Sequence, residues 1–179
     1  KITITTIGTT SRAVVVKIQP DGKIVVGGNF QDVAGLQSVY LARYDSNGLL
    51  DPSFSSGIVT KSTGTDSFIA DFEVLSDGKL LVVGTTNSGN DDLFLMCFNA
   101  DGTADESFGS SGLVITDDIN HGVETASGLN VQTDGKIIVA ATFRPVSGLV
   151  LSEDFALFRY NADGTLDTTF GNGHGMITT

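Results

Sequence analysis

The chain has 179 residues, of which 40% are hydrophobic, so its composition is that of a globular protein and excludes a disordered one. Lys and Arg total 10 against 21 Asp and Glu, which gives a net charge of −11. Such an acidic surface repels phosphates and therefore disfavours nucleic acids and anionic membranes as partners. No apolar run reaches the roughly 18 residues of a transmembrane helix.

An Asp-Gly-Lys triplet occurs three times at nearly constant spacing. Its aspartates are Asp21, Asp77 and Asp134, which lie 56 and 57 residues apart. An Asp-Gly pair between strand-like segments predicts a two-residue hairpin turn of type I′, because Asp and Gly both tolerate the positive φ that this turn requires. A self-similar period of this length indicates a repeat architecture.

A second motif follows each triplet in the same order. It begins at an aromatic residue, continues through an Asn-Gly or Asp-Gly pair, and ends on Phe. The three copies are Tyr44–Phe54, Phe98–Phe108 and Tyr160–Phe170, at spacings of 54 and 62 residues. The larger spacing comes from a longer loop, Arg144–Glu153, in the third copy.

Each copy predicts four β-strands and no helix. The strand segments are rich in Val, Ile, Tyr and Phe and are bounded by Gly, Asn, Asp and Ser. In the first copy they are Ala13–Gln19, Lys23–Asn29, Val39–Asp45 and Ile58–Ser62. Four-stranded antiparallel sheets are therefore expected over about Ala13–Ser62, Ile69–Asp118 and Ala126–Thr179.

The middle strands are apolar at odd and even positions alike, as Leu93–Phe98 shows. A strand that is buried on one face alternates apolar with polar residues, so both faces of these sheets must be covered. Stacked propeller blades supply such cover. Small residues near the end of each second strand (Gly27-Gly28, Gly84 and Ala140-Ala141) predict close backbone approach, where blades converge on the axis.

These features predict an all-β, β-propeller-like fold with three four-stranded antiparallel blades, at residues 11–62, 67–118 and 123–179. Residues Lys1–Ile7 are expected to be the outer strand of a preceding blade, because Lys1–Thr5 is similar to Gly112–Thr116. Propellers close with about four to eight blades. We therefore expect the three blades to form part of a larger ring or oligomer.

The motifs resemble a known bacterial repeat. The segments Gln19–Gly28, Leu41–Tyr44 and Asn161–Gly171 are similar to the delta-60 repeat of large secreted or surface proteins of bacteria. More distantly, each copy is similar to the NHL repeat, which also carries Pro-Asp-Gly between strands one and two. The resemblance covers nearly the whole chain, and copy two departs from it at Cys97, where the other copies have arginine. It implies propeller blades in a secreted or cell-surface protein and no established enzyme activity.

Oxygen-bearing side chains alternate around the glycine of the second motif. Calcium binds six to eight oxygens, so these residues are candidate ligands. The alternative is that Asn and Asp side chains cap a tight turn, and the motif lacks the Glu that ends an EF-hand loop. The candidates are Asp45, Asn47, Asp51, Asn99, Asp101, Asp105, Asn161, Asp163 and Asp167.

No catalytic constellation is visible in the sequence. His121 and His174 lie far apart and lack metal-ligand spacing. Neighbouring acidic residues such as Asp91-Asp92 point to opposite faces of a strand. Neither a nucleophile elbow nor a phosphate loop occurs. Cys97 is interpreted as a small buried hydrophobe.

The sequence therefore predicts a non-enzymatic structural or interaction module of a bacterial secreted or cell-surface protein, which assembles through tandem blades. Its expected partners are other copies of the repeat or chain, or a surface glycan or protein, with no nucleic acid and no membrane insertion. The alternative is a glycan- or polymer-active enzyme that uses the central channel of a completed propeller. That alternative requires charges to converge from the first strands of different blades, where the candidates are Lys17, Glu73 and Asn130.

Overall fold

In a computed structural model, the chain forms three antiparallel sheets that follow one another along the sequence. The structure describes residues 10–87, 91–117, 123–144 and 153–179. Each sheet has four strands that neighbour one another in chain order. We call the sheets, with their turns, blades 1, 2 and 3. The predicted all-β architecture of three four-stranded antiparallel blades is confirmed.

The strands have the following bounds. Blade 1 contains β1 (Thr10–Ile18), β2 (Ile24–Gln31), β3 (Gln37–Tyr44) and β4 (Ile58–Lys61). Blade 2 contains β5 (Asp66–Val74), β6 (Leu80–Asn87), β7 (Asp91–Phe98) and β8 (Leu113–Thr116). Blade 3 contains β9 (Val123–Val131), β10 (Ile137–Arg144), β11 (Asp154–Tyr160) and β12 (Met176–Thr178).

Some sequence predictions differ from the observed strand bounds or lie outside the described residues. In blade 1, β1 begins at Thr10 instead of Ala13, because polar residues continue the ladder with β2 as far as the pair Thr10 and Gln31. The predicted outer strand Lys1–Ile7 lies outside the described residues. So does His121, together with most of the loop between Arg144 and Glu153.

Helical structure in the described part of the chain is limited to two 3₁₀ turns, Ser55–Gly57 and Gly171–Gly173. Each lies directly after the phenylalanine that ends the second motif. Among the same residues, no helix combines the length and the apolar character that crossing a bilayer would demand.

The hairpin between the first two strands is built on the Asp-Gly pair, but its type differs from the prediction. Only the glycine has a positive φ, 84° at Gly22, and Asp21 is not among the residues with positive φ. The Gln19 N–H donates to the Lys23 carbonyl over 2.8 Å, which leaves a three-residue loop. The predicted two-residue type I′ turn is therefore wrong, because the strands pair one residue further out and a single left-handed glycine closes the loop, as it also does at Gly78 and Gly135.

Two apolar clusters lie between the blades. The first joins Leu41 and Phe54 of blade 1 to Phe72 of blade 2. The second joins Leu95 of blade 2 to Phe158 of blade 3. Blade 2 lies between both clusters, which explains why its middle strands lack polar alternation. The first strand of each later blade crosses the preceding sheet: β5 packs on β1, β2 and β3, and β9 packs on β5, β6 and β7.

The small residues of the second strands lie opposite bulges in the first strands. In blade 2 the register shifts between Ile69 and Asp71, next to Gly84. A Cβ atom at Gly84 would lie 2.2 Å from the Phe68 carbonyl oxygen and 2.4 Å from the Phe94 ring. The predicted close approach is therefore present, but at this position it is to the first strand of the same blade.

Replacing Gly84 with alanine is expected to lower the free energy of unfolding by about 1–3 kcal/mol, because the methyl group overlaps backbone and a buried ring. Urea denaturation measures the change. The matched control is Gly128→Ala in β9, where the nearest atom to an added Cβ is 3.7 Å away; this variant should stay within about 1 kcal/mol of the parent. Equal effects of the two substitutions would contradict the steric explanation.

Candidate functional site: the repeated ion-pair network

The two repeated motifs meet at one end of each blade, around a buried aspartate. In blade 1 this residue is Asp51, which is 8% exposed. Its Oδ2 accepts a hydrogen bond from Arg43 Nε over 2.8 Å and lies 3.2 Å from Lys23 Nζ. Its Oδ1 accepts the Ser53 hydroxyl and N–H over 2.7 and 3.0 Å. Arg43 of β3, Lys23 of the first motif and Ser53 of the second motif thus all contact the Asp51 carboxylate.

Blade 3 repeats this arrangement. Asp167 Oδ2 accepts hydrogen bonds from Arg159 Nε over 2.7 Å and from Lys136 Nζ over 2.8 Å. The hydroxyl of Thr169 takes the place of the serine, 2.7 Å from Oδ1. A single carboxylate oxygen therefore accommodates a lysine and an arginine together. We call this set of residues the turn network.

The turn network of blade 2 lacks its arginine, because Cys97 stands at the corresponding position of β7. Asp105 Oδ2 accepts a hydrogen bond from Lys79 Nζ over 2.8 Å and lies 3.8 Å from Cys97 Sγ. Burial raises the pKa of Cys97 to about 12, so the thiol is uncharged at neutral pH. Cys97 is 3% exposed, which agrees with its interpretation as a small buried residue.

Hydrogen bonds keep all three carboxyl groups ionised. The hydroxyl of Ser53 is the largest cause that holds the pKa of Asp51 well below its ordinary value. The hydrogen bond from Lys79 lowers the pKa of Asp105 to about 2. The hydrogen bond from Lys136 likewise holds down the pKa of Asp167. A buried carboxylate is tolerated only when such partners compensate its lost hydration.

The arginines of the turn network also stack on the phenylalanine that ends the second motif. The guanidinium carbon of Arg43 lies 4.6 Å from the ring centre of Phe54, and that of Arg159 lies 4.6 Å from the ring centre of Phe170. This distance is typical of a cation–π contact. In blade 1 the arginine thus holds the phenylalanine that the blade presents to its neighbour.

Contacts from the turn network cross to the next blade. Arg43 Nη1 donates to the Ala100 carbonyl of blade 2 over 2.6 Å. The glycine of the same blade 2 turn, Gly102, lies so close to Phe54 that an added Cβ would be 3.0 Å from the ring.

Gly164 of blade 3 lies against Phe108 of blade 2 in the same way, at 2.9 Å. The second motif of blade 2 therefore both covers the phenylalanine of blade 1 and presents its own phenylalanine to blade 3.

The predicted calcium ligands take part in turn capping in this structure. The Oδ1 atoms of Asp45, Asp101 and Asp163 each accept a backbone N–H from two residues further along, over 2.9 Å. Asn47 supplies the first of these N–H groups. Asn99 and Asn161 direct their Nδ2 donors at threonine hydroxyls over 3.0 and 2.9 Å.

The remaining candidates, Asp51, Asp105 and Asp167, bind lysine or arginine instead of one another. Among the described residues, no group of three or more His, Cys, Asp or Glu side chains is placed to hold a metal. The donor set fits the turn-capping alternative. Calcium binding at these nine positions stays a prediction that this geometry does not support.

Thermal unfolding with added calcium or with a chelator distinguishes the two interpretations. Because the carboxylates already bind N–H groups and cations of the chain, we expect the melting temperature to be the same under both conditions. Magnesium at equal ionic strength is the control for general salt effects. A rise with calcium alone, reversed by chelator, would instead assign the second motif to calcium.

Charges of the first strands converge between blades 1 and 2. Lys17 Nζ lies 2.7 Å from Glu73 Oε2 and 3.6 Å from Asp71 Oδ1. The hydrogen bond to Glu73 is the main cause that raises the pKa of Lys17. The corresponding residue of β9 is the uncharged Asn130. The cluster pairs opposite charges across the interface of two blades, and it joins β1 to β5.

The basic residues of the turn network were not predicted from the sequence. Lys23, Arg43 and their counterparts recur at fixed positions within motifs that also contain an aspartate. The recurrence of opposite charges at matched positions was the available signal, because a buried carboxylate requires a cation. The motifs alone do not place the aspartate beside the arginine, since the contact forms only when the loop folds back along β3.

Asp105→Asn tests the contribution of the turn network. We expect the free energy of unfolding at pH 7 to fall by about 1.5 kcal/mol, the lower range for hydrogen bonds to charged groups, since Lys79 is about one third exposed. The folded pKa lies below the ordinary carboxyl value of roughly 4. The ion pair therefore stabilises fully above that value and is lost as the pH falls toward 2.

The difference in free energy of unfolding between the parent and Asp105→Asn should accordingly become smaller as the pH falls from 4 to 2. Urea denaturation at each pH measures it. Glu106→Gln, which removes the same charge at an exposed neighbouring position, is the control and should have little effect. A difference that does not depend on pH would count against the ion pair as its source.

The comparisons with known proteins agree with this organisation. The family model described as "Domain of unknown function (DUF5122) beta-propeller" matches residues 19–54, 75–108 and 132–170. Each matched segment begins just before the first motif and ends on the phenylalanine of the second, so it contains a whole turn network. No curated protein matches the chain. A β-propeller domain supports a structural or interaction module in general. The chain belongs to the DUF5122 β-propeller family.

Proposed function

We propose that this chain is a non-enzymatic structural or interaction module of a bacterial secreted or cell-surface protein, which assembles by adding further blades of its own repeat. The observation that carries the proposal is an uncovered blade face on blade 3, whose counterparts in blades 1 and 2 are buried. The resemblance to a repeat of secreted and surface proteins supports the location, and the net charge of −11 suits a module that does not bind nucleic acid.

The phenylalanines that end the second motif show the difference between covered and uncovered blades. Phe54 is 0% exposed and Phe108 is 3% exposed, because the turns that contain Gly102 and Gly164 lie on them. Phe170 is only partly buried. In the described part of the chain, no further turn of this kind follows to cover it.

The sheet of blade 3 is uncovered on the same side. We call this side of each blade, which in blades 1 and 2 contacts the following blade, the forward face. Val39 and Leu93 occupy equivalent positions on it, and each is 1% exposed; Phe155 occupies that position in blade 3 and is 53% exposed. Ile177 of β12 lies on this face as well and is 39% exposed. The uncovered face therefore has the apolar character of the buried ones.

The opposite side of blade 1 is uncovered along β1. Val16 and Ile18 are 61% and 73% exposed, whereas Phe72, the counterpart of Val16 in blade 2, is fully buried against blade 1. Exposed apolar patches of this kind usually mark an interface. The partner that fits the forward face is another blade of the repeat, since it would bring the glycine turn that covers Phe170.

Phe155→Asp tests the forward face as an assembly surface. We expect the parent chain to self-associate with rising concentration and to bind a hydrophobic dye, and the variant to lose at least half of both effects, because a carboxylate cannot be buried there without a partner. Sedimentation equilibrium and dye fluorescence are the measurements.

Val33→Asp provides the matched control. Val33 is 93% exposed in the turn between β2 and β3, so this variant adds the same charge at an exposed apolar residue outside the forward face and should behave like the parent. A parent chain that stays monomeric and binds no dye would refute assembly through this face. Equal effects of the two substitutions would refute the assignment to Phe155.

A further inference from the structure

A cavity of about 480 Å³ lies between blades 2 and 3. This volume is within the range of small-molecule sites, roughly 300–1,000 Å³. Its walls include Leu81, Cys97 and Phe108 of blade 2 and Ile137 and Ala162 of blade 3. The cavity is thus partly apolar, and it adjoins the one turn network, among the three described, that has no arginine.

At the equivalent position between blades 1 and 2, the chain's own Arg43 binds the surrounding groups. There Arg43 donates from Nε to Asp51 over 2.8 Å, from Nη1 to the Ala100 carbonyl over 2.6 Å and from Nη2 to the Ser53 hydroxyl over 3.1 Å. Its guanidinium lies on the ring of Phe54. Carboxylate, carbonyl, hydroxyl and ring together surround one planar cation.

All four of these groups have counterparts in the next repeat. Ala162 and Phe108 line the cavity itself, whereas the carboxylate lies next to it, 3.8 Å from the Sγ of the lining residue Cys97. Asp105, Ala162, Ser107 and Phe108 occupy the positions of Asp51, Ala100, Ser53 and Phe54 in the next repeat. The side chain that would fill the space is shortened, because Cys97 replaces the arginine. Cys97 Sγ still points toward the carboxylate, 3.8 Å from Asp105 Oδ2.

Lys79 does not take the place of the missing arginine. In blade 3, Asp167 Oδ2 accepts Lys136 Nζ and Arg159 Nε at the same time, at 2.8 and 2.7 Å. Lys79 binds Asp105 over the same 2.8 Å as Lys136 binds Asp167. In blade 2, the position at which blades 1 and 3 bind a guanidinium is therefore met by the Cys97 thiol, a weak donor that contacts Asp105 Oδ2 over 3.8 Å.

We propose that the cavity between blades 2 and 3 binds a guanidinium group carried on an aliphatic stem, such as an arginine side chain. The Asp105 carboxylate binds the guanidinium, the ring of Phe108 lies beneath it, and Leu81 and Ile137 contact the stem. A guanidinium carries several donors in one plane, so it can reach a carboxylate, a carbonyl and a hydroxyl at once, whereas an ammonium is a strongly hydrated point charge. This site is independent of the assembly face, which lies on the other side of blade 3.

Calorimetric titration with argininamide tests the proposal, and lysinamide is the matched control because it has the same charge on a similar stem. We expect saturable binding of argininamide to the parent chain and at least tenfold weaker binding of lysinamide. Methylguanidinium and the peptide Gly-Arg-Gly distinguish a small-molecule source of the group from a peptide source: the tighter of the two identifies it.

Variants of blade 2 locate the binding. Cys97→Arg supplies the guanidinium from the chain itself, so argininamide binding should fall at least tenfold while the melting temperature rises by about 2–4 °C. Val33→Arg, which adds the same guanidinium at an exposed residue between β2 and β3, is the control and should bind argininamide like the parent. Asp105→Asn should lose at least tenfold in affinity, which keeps the test valid if Cys97→Arg does not fold.

Three results would overturn the proposal. They are the absence of saturable argininamide binding to the parent, equal binding of lysinamide, and undiminished binding to folded Cys97→Arg or Asp105→Asn.

Discussion

The fold depends on how each blade neutralises one buried carboxylate. Asp51, Asp105 and Asp167 lie at the end of the sheet with almost no access to water, where an uncompensated charge would cost several kcal/mol. The lysine after the first turn supplies one compensating charge, and in blades 1 and 3 an arginine at the end of the third strand supplies another. Because the lysine directly precedes the second strand and the arginine belongs to the third, binding the carboxylate fixes these strands and the loop relative to one another.

This constraint also sets the contacts between blades. The loop that brings the aspartate back along the third strand ends on phenylalanine, and in blades 1 and 3 the arginine that binds the carboxylate lies on that ring. In blades 1 and 2 the ring contacts the glycine turn of the next blade. A side chain larger than hydrogen at Gly102 or Gly164 would overlap the ring. The two motifs recur together in the sequence because each blade needs the first to complete its own network and the second to contact its neighbour.

The sequence was sufficient to predict the strands, their order and the covered faces, since these depend on local patterns: Asp-Gly turns, β-branched runs and the absence of polar alternation in Leu93–Phe98. The sequence did not predict features that depend on contacts between residues distant in the chain. The turn at Pro20–Gly22 has three residues and not two, because Gln19 pairs with Lys23 across it. The oxygen-rich motif left calcium binding and turn capping open, and it did not indicate that Arg43 and Lys23, from other parts of the repeat, bind Asp51. No local pattern indicates which cation a folded loop will meet.

The three turn networks differ in whether their groups serve packing alone or are also available to bind a ligand. In blades 1 and 3 the carboxylate of the turn network binds both a lysine and an arginine of the chain, so the network there explains stability. Blade 2 departs from the pattern at one position, Cys97, while its carboxylate, ring and neighbouring turn stay as in the other blades. A repeat protein presents the same interface many times, and selective binding requires one interface to differ from the rest. The loss of one arginine from an otherwise intact network creates that difference at the interface between blades 2 and 3.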